Sequence, residues 1–299
     1  MRMSDMILKG RIIKGIGGFY YVDAATPFLY ECRARGVFRK KGQNLLVGDM
    51  VDIEPTSEDE TKAFLVGVHE RKSELIRPAV ANADLAVLIF SACSPDPNPE
   101  LIDRFLVNME IQKMETVLCL SKIDLVNEDE IERIVSPYRD AGYHVITFSS
   151  KTQEGIDEIK DYLKGRMAVL SGPSGVGKSS LINSLLSENK MEVGGISEKI
   201  GRGRNTTRHA EVIKLMEDTF VIDTPGYSSI EVLCQEETEL DMYFKEFDEF
   251  LGNCRFRGCV HIAEPDCAVR DGVQQGKITE IRYNSYKEIY ESIKSRRRW

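Results

Sequence analysis

Residues 170–181 read LSGPSGVGKSSL, and the stretch from Gly172 to Ser179 matches the pattern G-x-x-x-x-G-K-[ST]. The run RMAVLSG before it has the composition of a buried strand, and KSSLINSLL after it has the spacing of a helix. In this context the backbone N–H groups of the turn surround a phosphate, and the helix N-terminus adds positive potential. The stretch therefore predicts a phosphate-binding loop in an α/β fold.

Within this loop we expect Lys178 to contact the β- and γ-phosphates and the Ser179 hydroxyl to bind Mg²⁺. The rest of the predicted phosphate site comprises Gly172, Pro173, Ser174, Gly175, Val176, Gly177 and Ser180. The loop alone defines neither nucleotide nor reaction, because LSGPSGVGKSS is equally similar to the loop of guanylate kinases. A P-loop nucleotide kinase is therefore an alternative reading of this stretch.

A second motif, LCLSKIDLV at residues 118–126, precedes the phosphate loop. Ser121, Lys122, Ile123 and Asp124 follow a predicted buried strand, where ligands bind in such sheets, and resemble the [NT]-K-x-D box of GTPases. The Asp124 carboxylate can accept hydrogen bonds from guanine N1–H and the 2-amino group. Adenine would leave it unpaired, so such a site discriminates by about 10⁴–10⁵. Ser121 is shorter than the usual Asn or Thr, which predicts a weaker hold on the phosphate loop.

Two further boxes complete the pattern. The next predicted strand is followed by Ser149, Ser150 and Lys151, where GTPases place S-A-K, whose backbone meets guanine O6. The strand TFVID ends in Asp223-Thr224-Pro225-Gly226, which matches the D-x-x-G box. There Asp223 would hold Mg²⁺ through water, and the Gly226 N–H would contact the γ-phosphate.

A polar, glycine-rich segment, GRGRNTTRH at residues 201–209, lies between the phosphate loop and the D-x-x-G box. We expect Thr206 or Thr207 to complete the coordination of Mg²⁺. All GTPase boxes are thus present, but in the order base, base, phosphate loop, first switch, second switch. This permuted order keeps the nucleotide site intact, because a site is defined by positions in space.

The regions before and after the GTPase boxes differ in predicted secondary structure. Residues 7–68 carry short β-type runs separated by turn residues, which predicts a small barrel. Strands and helices alternate from about residue 80, and the chain beyond 235 is predicted helical. The loop RGVFRKKGQNLLVGD suits RNA phosphates and an unstacked base, but an ordinary charged hairpin tip fits equally well. Its basic residues, Arg35, Arg39, Lys40 and Lys41, surround Phe38.

Cysteine spacing indicates a metal site near the C-terminus. The chain has seven cysteines, an odd number, so internal disulfides cannot pair them all. Three crowd beside a histidine in the pattern Cys254-x4-Cys259-x-His261-x5-Cys267, a ligand set typical of structural Zn²⁺. The spacing is not that of the usual zinc fingers, so by spacing alone unmetallated cysteines stay an alternative. The cysteines elsewhere, which are predicted to be reduced, are Cys32, Cys93, Cys119 and Cys234.

Charge is distributed unevenly along the chain. The net charge is −8, yet residues 1–72 carry 12 basic and 10 acidic side chains and residues 252–299 carry 10 and 6. The acidity lies in the middle, so a polyanion contacted by the two ends and a merely solvated acidic face are both compatible. No apolar run is long enough for a bilayer, and the first residues lack a secretory signal. We expect a cytoplasmic protein with no membrane partner.

The combination of motifs closely resembles the ribosome small-subunit-dependent GTPase A family of bacteria. The residues that carry the resemblance are RPAVANADLAVLI, SKIDL, GPSGVGKSSLIN, GRGRNTTRH, DTPGYSS, the cysteine cluster and RYNSYKEI. The resemblance implies an α/β protein with an RNA-binding, OB-type five-stranded barrel at 1–70 and a circularly permuted GTPase domain at 71–232. It also implies a helical zinc-knuckle domain at 233–299.

The same resemblance implies partners and an activity: a monomer that binds GTP and GDP and acts in late maturation of the 30S subunit. Asn205 stands where the family carries a histidine, with His209 nearby, and Tyr227 stands where Ras-like enzymes carry a water-orienting Gln. We therefore expect slow hydrolysis alone and strong acceleration by 30S subunits and their 16S rRNA. Loss of GTP would relax Asp223–Ser229 and act through 230–253 on the zinc region. A plain RNA-binding module is disfavoured by intact Lys178, Ser179 and Asp223.

Overall fold

The computed structural model describes residues 7–34, 38, 44–56, 59, 61–189 and 210–296. The chain forms two compact units. The first comprises Met1–Leu85, Lys160–Ser171 and Leu181–Gly226, and the second comprises Ala86–Ile159, Gly172–Ser180 and Tyr227–Trp299. Each unit is assembled from separate chain segments. The division into domains at 1–70, 71–232 and 233–299 stays a prediction.

The N-terminal part of the first unit is a closed five-stranded barrel, as the short β-type runs predicted. The strands are β1 (Leu8–Ile16), β2 (Phe19–Asp23), β3 (Tyr30–Ala34), β4 (Met50–Pro55) and β5 (Lys62–Val68). They follow the order β1-β2-β3-β5-β4, and β4 pairs with β1 to close the barrel. Alternate residues point inwards, as a two-residue period requires. The barrel core contains Ile12, Val22, Tyr30, Cys32, Phe38, Val51, Ile53, Ala63 and Leu65.

Phe38 corrects one expectation about the basic loop. Its side chain is buried in the barrel core, with 7% of its surface exposed. It is therefore a core residue, and its ring does not offer a stacking surface to a base. The cations predicted around it, Arg35, Arg39, Lys40 and Lys41, lie outside the described residues.

The rest of the first unit contains a separate two-stranded sheet and strands that extend the barrel sheet. A short hairpin joins β6 (Glu74–Leu75) to β7 (Val80–Ala81). The runs EVIKLM and TFVIDT are separated by two acidic residues, which predicts an antiparallel hairpin. The hairpin forms as β12 (Glu211–Met216) and β13 (Thr219–Asp223). β13 pairs in parallel with β11 (Met167–Ser171), and β12 pairs antiparallel with β1 of the barrel. Because of this last pairing, the barrel and the hairpin belong to one continuous sheet.

The second unit contains the predicted strand–helix alternation. Parallel strands β8 (Leu85–Ser91), β9 (Thr116–Ser121) and β10 (His144–Phe148) lie in the order β10-β9-β8. The helices that follow them are α1 (Pro99–Ile111), α2 (Glu128–Asp140) and α3 (Ile156–Leu163). Asn98 caps α1 by accepting from the Leu101 N–H, and Asn127 and Glu130 form a capping box on α2. The strands are buried at almost every position, as expected for parallel strands covered on both faces.

Beyond residue 235 the chain is helical as predicted, although its first part is 3₁₀-helix at Glu237–Tyr243 and Lys245–Phe247. Helices α5 (Ala268–Gln274) and α6 (Glu280–Arg296) follow; α4 (Lys178–Asn189) precedes them and starts at the phosphate loop. The core of this region includes Phe244, Phe247, Tyr286 and Ile289 together with Val107 of α1. In the described part of the chain, no helix is long and apolar enough to cross a membrane.

Candidate nucleotide and metal sites

The phosphate loop runs from Gly172 to the start of α4 at Lys178. Gly172 has a φ of 150°, and a Cβ there would lie 2.1 Å from the carbonyl oxygen of Ile89, so a side chain is excluded. The Lys178 ammonium is nearly buried and donates to the carbonyl oxygens of Gly172 at 2.6 Å and Pro173 at 2.9 Å. The loop thus curls around the lysine head group, with Ser179 and Ser180 exposed in the first turn of the helix.

The base box contacts the phosphate loop directly. Ser121, at the end of β9, places its hydroxyl 2.5 Å from the carbonyl oxygen of Val176, to which it donates. The ammonium of Lys122 donates to the carbonyl oxygen of Gly175 at 2.8 Å and to that of Ser94. The hydroxyl of Ser121 therefore reaches the loop, and the weaker hold predicted from its length stays a prediction. Two motifs that are far apart in sequence form one site.

The side chain that would read guanine is held by the second base box. The buried Ser149 hydroxyl donates to Asp124 Oδ1 at 2.7 Å, and the Lys151 ammonium lies 3.6 Å from Asp124 Oδ2. The hydrogen bond from Ser149 is the main cause that lowers the pKa of Asp124, with a smaller contribution from the charge of Lys151. Asp124 is therefore ionised and acceptor-only at neutral pH, the state that guanine recognition requires. Ile123 is buried beside it.

The Ser149 hydroxyl also organises the loop after β10. It accepts the backbone N–H groups of Lys151 and Thr152, both at 3.2 Å. The Ser150 hydroxyl is buried and has no hydrogen-bond partner among the described residues. The loop backbone is thereby fixed next to Asp124. Its contact with guanine O6 stays a prediction.

The D-x-x-G box begins in the first unit. β13 ends at Asp223, which is 6% exposed, and the next residue, Thr224, donates its hydroxyl to the carbonyl oxygen of Leu170 at 2.7 Å. This contact fixes the start of the box against the end of β11. Gly226 is the last residue of the unit. Thr206 and Thr207, predicted to bind Mg²⁺, lie outside the described residues, as do Asn205 and His209.

Tyr227, the first residue after the box, belongs to the second unit. It forms an isolated β-bridge with Pro173 of the phosphate loop, and its ring stacks on Phe105 with centroids 6.5 Å apart. Burial raises the pKa of Tyr227 well above its ordinary value, so its hydroxyl does not ionise near neutral pH. The residue anchors the chain beside the phosphate loop and is unsuited to activating water.

The C-terminal cluster gathers four metal ligands. The ligand atoms of Cys254, Cys259, His261 and Cys267 all lie within 4.8 Å of one another. His261 Nδ1 is 3.3 Å from Cys267 Sγ and 3.6 Å from Cys254 Sγ. Tetrahedral zinc with bonds of about 2.0–2.3 Å would separate its ligand atoms by about 3.3–3.8 Å. Ligand set and spacing both fit a zinc site with no open coordination position.

A carboxylate missed by the sequence analysis supports the histidine. Asp241 Oδ2 lies 3.2 Å from His261 Nε2, so the ring donates there and presents Nδ1 to the metal position. The Tyr283 hydroxyl donates to the His261 carbonyl oxygen at 2.7 Å. Asp241 lies in a 3₁₀ segment outside the cysteine cluster, and no local spacing connects it to the cluster.

Family models and a curated relative match the chain over most of its length. A model of the RsgA GTPase matches residues 68–233, and a model of the RsgA N-terminal domain matches residues 9–64. A protein from Agathobacter rectalis described as small ribosomal subunit biogenesis GTPase RsgA is 47% identical over 302 residues, which cover 98% of this chain and 100% of that protein.

Two solved structures have the same fold. The crystal structure of YjeQ from Thermotoga maritima matches with a TM-score of 0.77 and 33% identity, covering 96% of this chain and 99% of that one. YloQ, described as a circularly permuted GTPase, matches with a TM-score of 0.74 and 36% identity, covering 98% and 97%. Together with a base box that precedes the phosphate loop and contacts it, these matches lead to one conclusion: the chain belongs to the RsgA GTPase family and is a GTP-hydrolysing enzyme.

Proposed function

We propose that this protein is a GTP-dependent switch in late maturation of the small ribosomal subunit, stimulated by that subunit. The observation that carries the proposal is the pair of contacts from Ser121 and Lys122 to the phosphate loop. These contacts support a single site that contains both the carboxylate of Asp124, proposed to read guanine, and the ammonium of Lys178. That arrangement suits a single guanine nucleotide with its base at one end and its phosphates at the other.

In this proposal GTP is bound by the residues of both base boxes and the phosphate loop, and catalysis depends on positioning and charge stabilisation. Lys178 neutralises charge on the β- and γ-phosphates. Mg²⁺ is held by Ser179 and Asp223 together with Thr206 or Thr207, and the Gly226 N–H contacts the γ-phosphate. These assignments follow from the motifs and from the family.

The partner is proposed from the family and the barrel. The relative from Agathobacter rectalis is named for small ribosomal subunit biogenesis, and a five-stranded barrel of this topology suits RNA. Both chain ends are mildly basic. We therefore propose binding to 16S rRNA in the 30S subunit, in the cytoplasm and as a monomer. The zinc region would be a structural element that binds the ribosome. Residues 230–253 would transmit movement of the second switch to it.

The test is single-turnover GTP hydrolysis with the protein alone, with 30S subunits and with 50S subunits. We expect acceleration by 30S of about 10³–10⁵, the range that stimulating partners supply to other GTPases. Lys178→Ala serves as the inactive control. Comparable rates with and without 30S would refute stimulation. Phosphorylation of GMP by the protein would instead favour the nucleotide kinase alternative.

Nucleotide control of binding is tested separately by co-sedimentation. We expect 30S subunits to retain the protein with a GTP analogue and to release it with GDP, while 50S subunits retain it in neither state. Equal 30S affinity in the two states would rule out a switch.

A further inference from the structure

The barrel contacts the hairpin of β12 and β13 through an ion pair between Lys14 and Glu211. Lys14 of β1 is the cross-strand partner of Glu211, the first residue of β12. The Lys14 ammonium lies 3.4 Å from Glu211 Oε2, and the side chains are 31% and 18% exposed. The barrel sheet thus continues into the hairpin through an ion pair at the start of β12.

Glu211 has a second cross-strand partner, Asp223 of β13. Residues directly opposite in antiparallel strands point to the same face, with Cβ atoms about 4.5–5.5 Å apart. Lys14, Glu211 and Asp223 therefore form a row across three strands on one face of the sheet. The row connects the barrel to the carboxylate proposed to hold Mg²⁺.

The order of charges in this row has a physical consequence. Like charges directly opposite each other on paired strands repel, so Glu211 beside Asp223 is unfavourable unless a cation compensates. Lys14, which comes from the barrel, is a cation paired with Glu211 in this row. A partly exposed ion pair contributes little to the free energy of unfolding. We therefore expect its loss to affect mainly the neighbouring carboxylate of Asp223.

A second contact joins β1 to the hairpin, through β13. The Arg11 guanidinium of β1 lies 4.2 Å from the centre of the Phe220 ring in β13, and the Lys214 ammonium of β12 lies 6.0 Å from the same ring. This cation–π contact holds β1 next to the hairpin independently of Lys14. Substituting Lys14 should therefore disturb the charge row while the sheet stays assembled.

We propose that Lys14 is a positioning residue for GTP hydrolysis, acting through Glu211 on Asp223. The sequence places Glu211 shortly after the predicted first switch at 201–209 and opposite the first residue of the second. Glu211 therefore lies where the hairpin pairs with the barrel, opposite the first residue of the D-x-x-G box. Engagement of the barrel by RNA acts on the Mg²⁺ ligand through this pair. The inference rests on the proposed function for the identity of the barrel's partner and of the metal ion.

The experiment is a charge swap with Lys14→Glu, Glu211→Lys and the double variant. GTP affinity is measured with Mg²⁺ and with EDTA, without ribosomes. We expect each single variant to lose about tenfold in affinity with Mg²⁺ and nothing with EDTA. The double variant, which restores an ion pair, should return to within about threefold of wild type. Lys62→Glu is the matched control, because Lys62 forms an ion pair with Asp59 on the same barrel.

The 30S-stimulated rate is measured for the same variants, together with their thermal midpoints. We expect each single substitution to reduce the stimulated rate at least tenfold with a nearly unchanged midpoint, and the double variant to recover it. Losses that the swap fails to rescue would overturn the proposal. A loss confined to the 30S-stimulated rate and not rescued by the swap would mark Lys14 as a direct RNA contact. Unchanged single variants would overturn it as well. Absence of stimulation in the wild type would contradict the proposed function alone, because the Mg²⁺ assay needs no ribosome.

Discussion

The Ser121 hydroxyl donates to the carbonyl oxygen of Val176 over 2.5 Å, and this bond joins the strand that presents the base box to the loop that surrounds the phosphates. Both atoms are buried, so neither has water as an alternative partner. We therefore expect binding of the base to be linked to the position of the phosphate loop. A short serine at this position performs the task because the loop approaches the strand closely.

Ser121→Ala should weaken GTP binding while the fold persists. Removing the donor leaves the buried Val176 carbonyl unsatisfied, at a cost of about 1–3 kcal/mol, or about 5- to 150-fold in affinity. Thr116→Ala is the matched control, because it removes a buried hydroxyl bond at the other end of the same strand. Titration with a fluorescent GTP analogue measures both variants. Equal losses in the two would show that the effect is global destabilisation.

Asp124→Asn should change the base that is bound. The amide keeps one acceptor oxygen but replaces the other with an N–H donor. Guanine therefore loses one hydrogen bond and its 2-amino group faces a donor, whereas xanthine offers an acceptor in place of the 2-amino group. We expect GTP affinity to fall by about 10²-fold or more and XTP to become the preferred nucleotide. Competition binding with both nucleotides checks this, with the exposed Asp129→Asn as control. Retained preference for GTP would remove Asp124 from base recognition.

Sequence patterns predicted the strands and helices of this protein better than the contacts between them. Continuous apolar runs identified β8, β9 and β11, and the hairpin of β12 and β13 was evident from its turn. The pairing of β1 with β12 was not predicted, because an edge pairing between distant strands leaves no local periodicity. The same limit applies to Phe38, whose basic neighbours in sequence suggested an exposed loop although the ring enters the core.

The residues of the candidate sites likewise divide into those that sequence patterns predicted and those that they did not. Each nucleotide box was visible because backbone geometry demands particular residues at short spacing, as at Gly172. Asp241 was not visible, since its carboxylate supports His261 from a different segment. Buried charges such as Arg282 also escape pattern analysis, because in sequence a buried arginine looks like a solvated one.

Asp241→Asn should weaken the metal site without removing a ligand. The carboxylate fixes the His261 ring and increases the basicity of Nδ1, and loss of such support typically lowers metal affinity about 10–100-fold. Zinc transfer to a chromogenic chelator measures the change. Asp248→Asn, an exposed carboxylate in the same region, should leave transfer unchanged. Because the metal is expected to be structural, complete zinc removal should also lower the thermal midpoint; an unchanged midpoint would contradict a structural role.

Arg282→Met should destabilise the second unit strongly. The buried guanidinium of α6 donates to Asp103 of α1 and to both carboxylate oxygens of Glu246, at 2.7 and 3.0 Å. Burial opposes its charge, but the two carboxylates outweigh burial and raise the pKa of Arg282. Removing the cation leaves two buried carboxylates facing each other, at a cost of about 3–5 kcal/mol. The exposed pair of Arg139 with Glu132 is the control, expected to contribute about 0–1 kcal/mol by denaturant unfolding.

Asn108→Asp should release the segment that follows the second switch. The buried Asn108 amide donates to the carbonyl oxygen of Glu231 at 3.0 Å and accepts the N–H of Leu233 at 2.7 Å. An ionised carboxylate keeps the acceptor but faces the Glu231 carbonyl with a second oxygen, so we expect a loss of about 3 kcal/mol in unfolding free energy. The Leu233 amide should also exchange hydrogen markedly faster than in the wild type.

A matched substitution shows whether the effect of Asn108→Asp comes from its hydrogen bonds to Glu231 and Leu233 or from the addition of a negative charge. Asn127 caps α2 by accepting the Glu130 N–H, and aspartate serves that role equally well, so Asn127→Asp should be nearly neutral. If Asn108→Asp leaves Leu233 exchange unchanged, the amide does not restrain this segment. If exchange rises there while the protection of α2 is retained, the segment is held to α1 by these two hydrogen bonds. Any movement that starts at the second switch must then either stop at residue 231 or carry α1 with it.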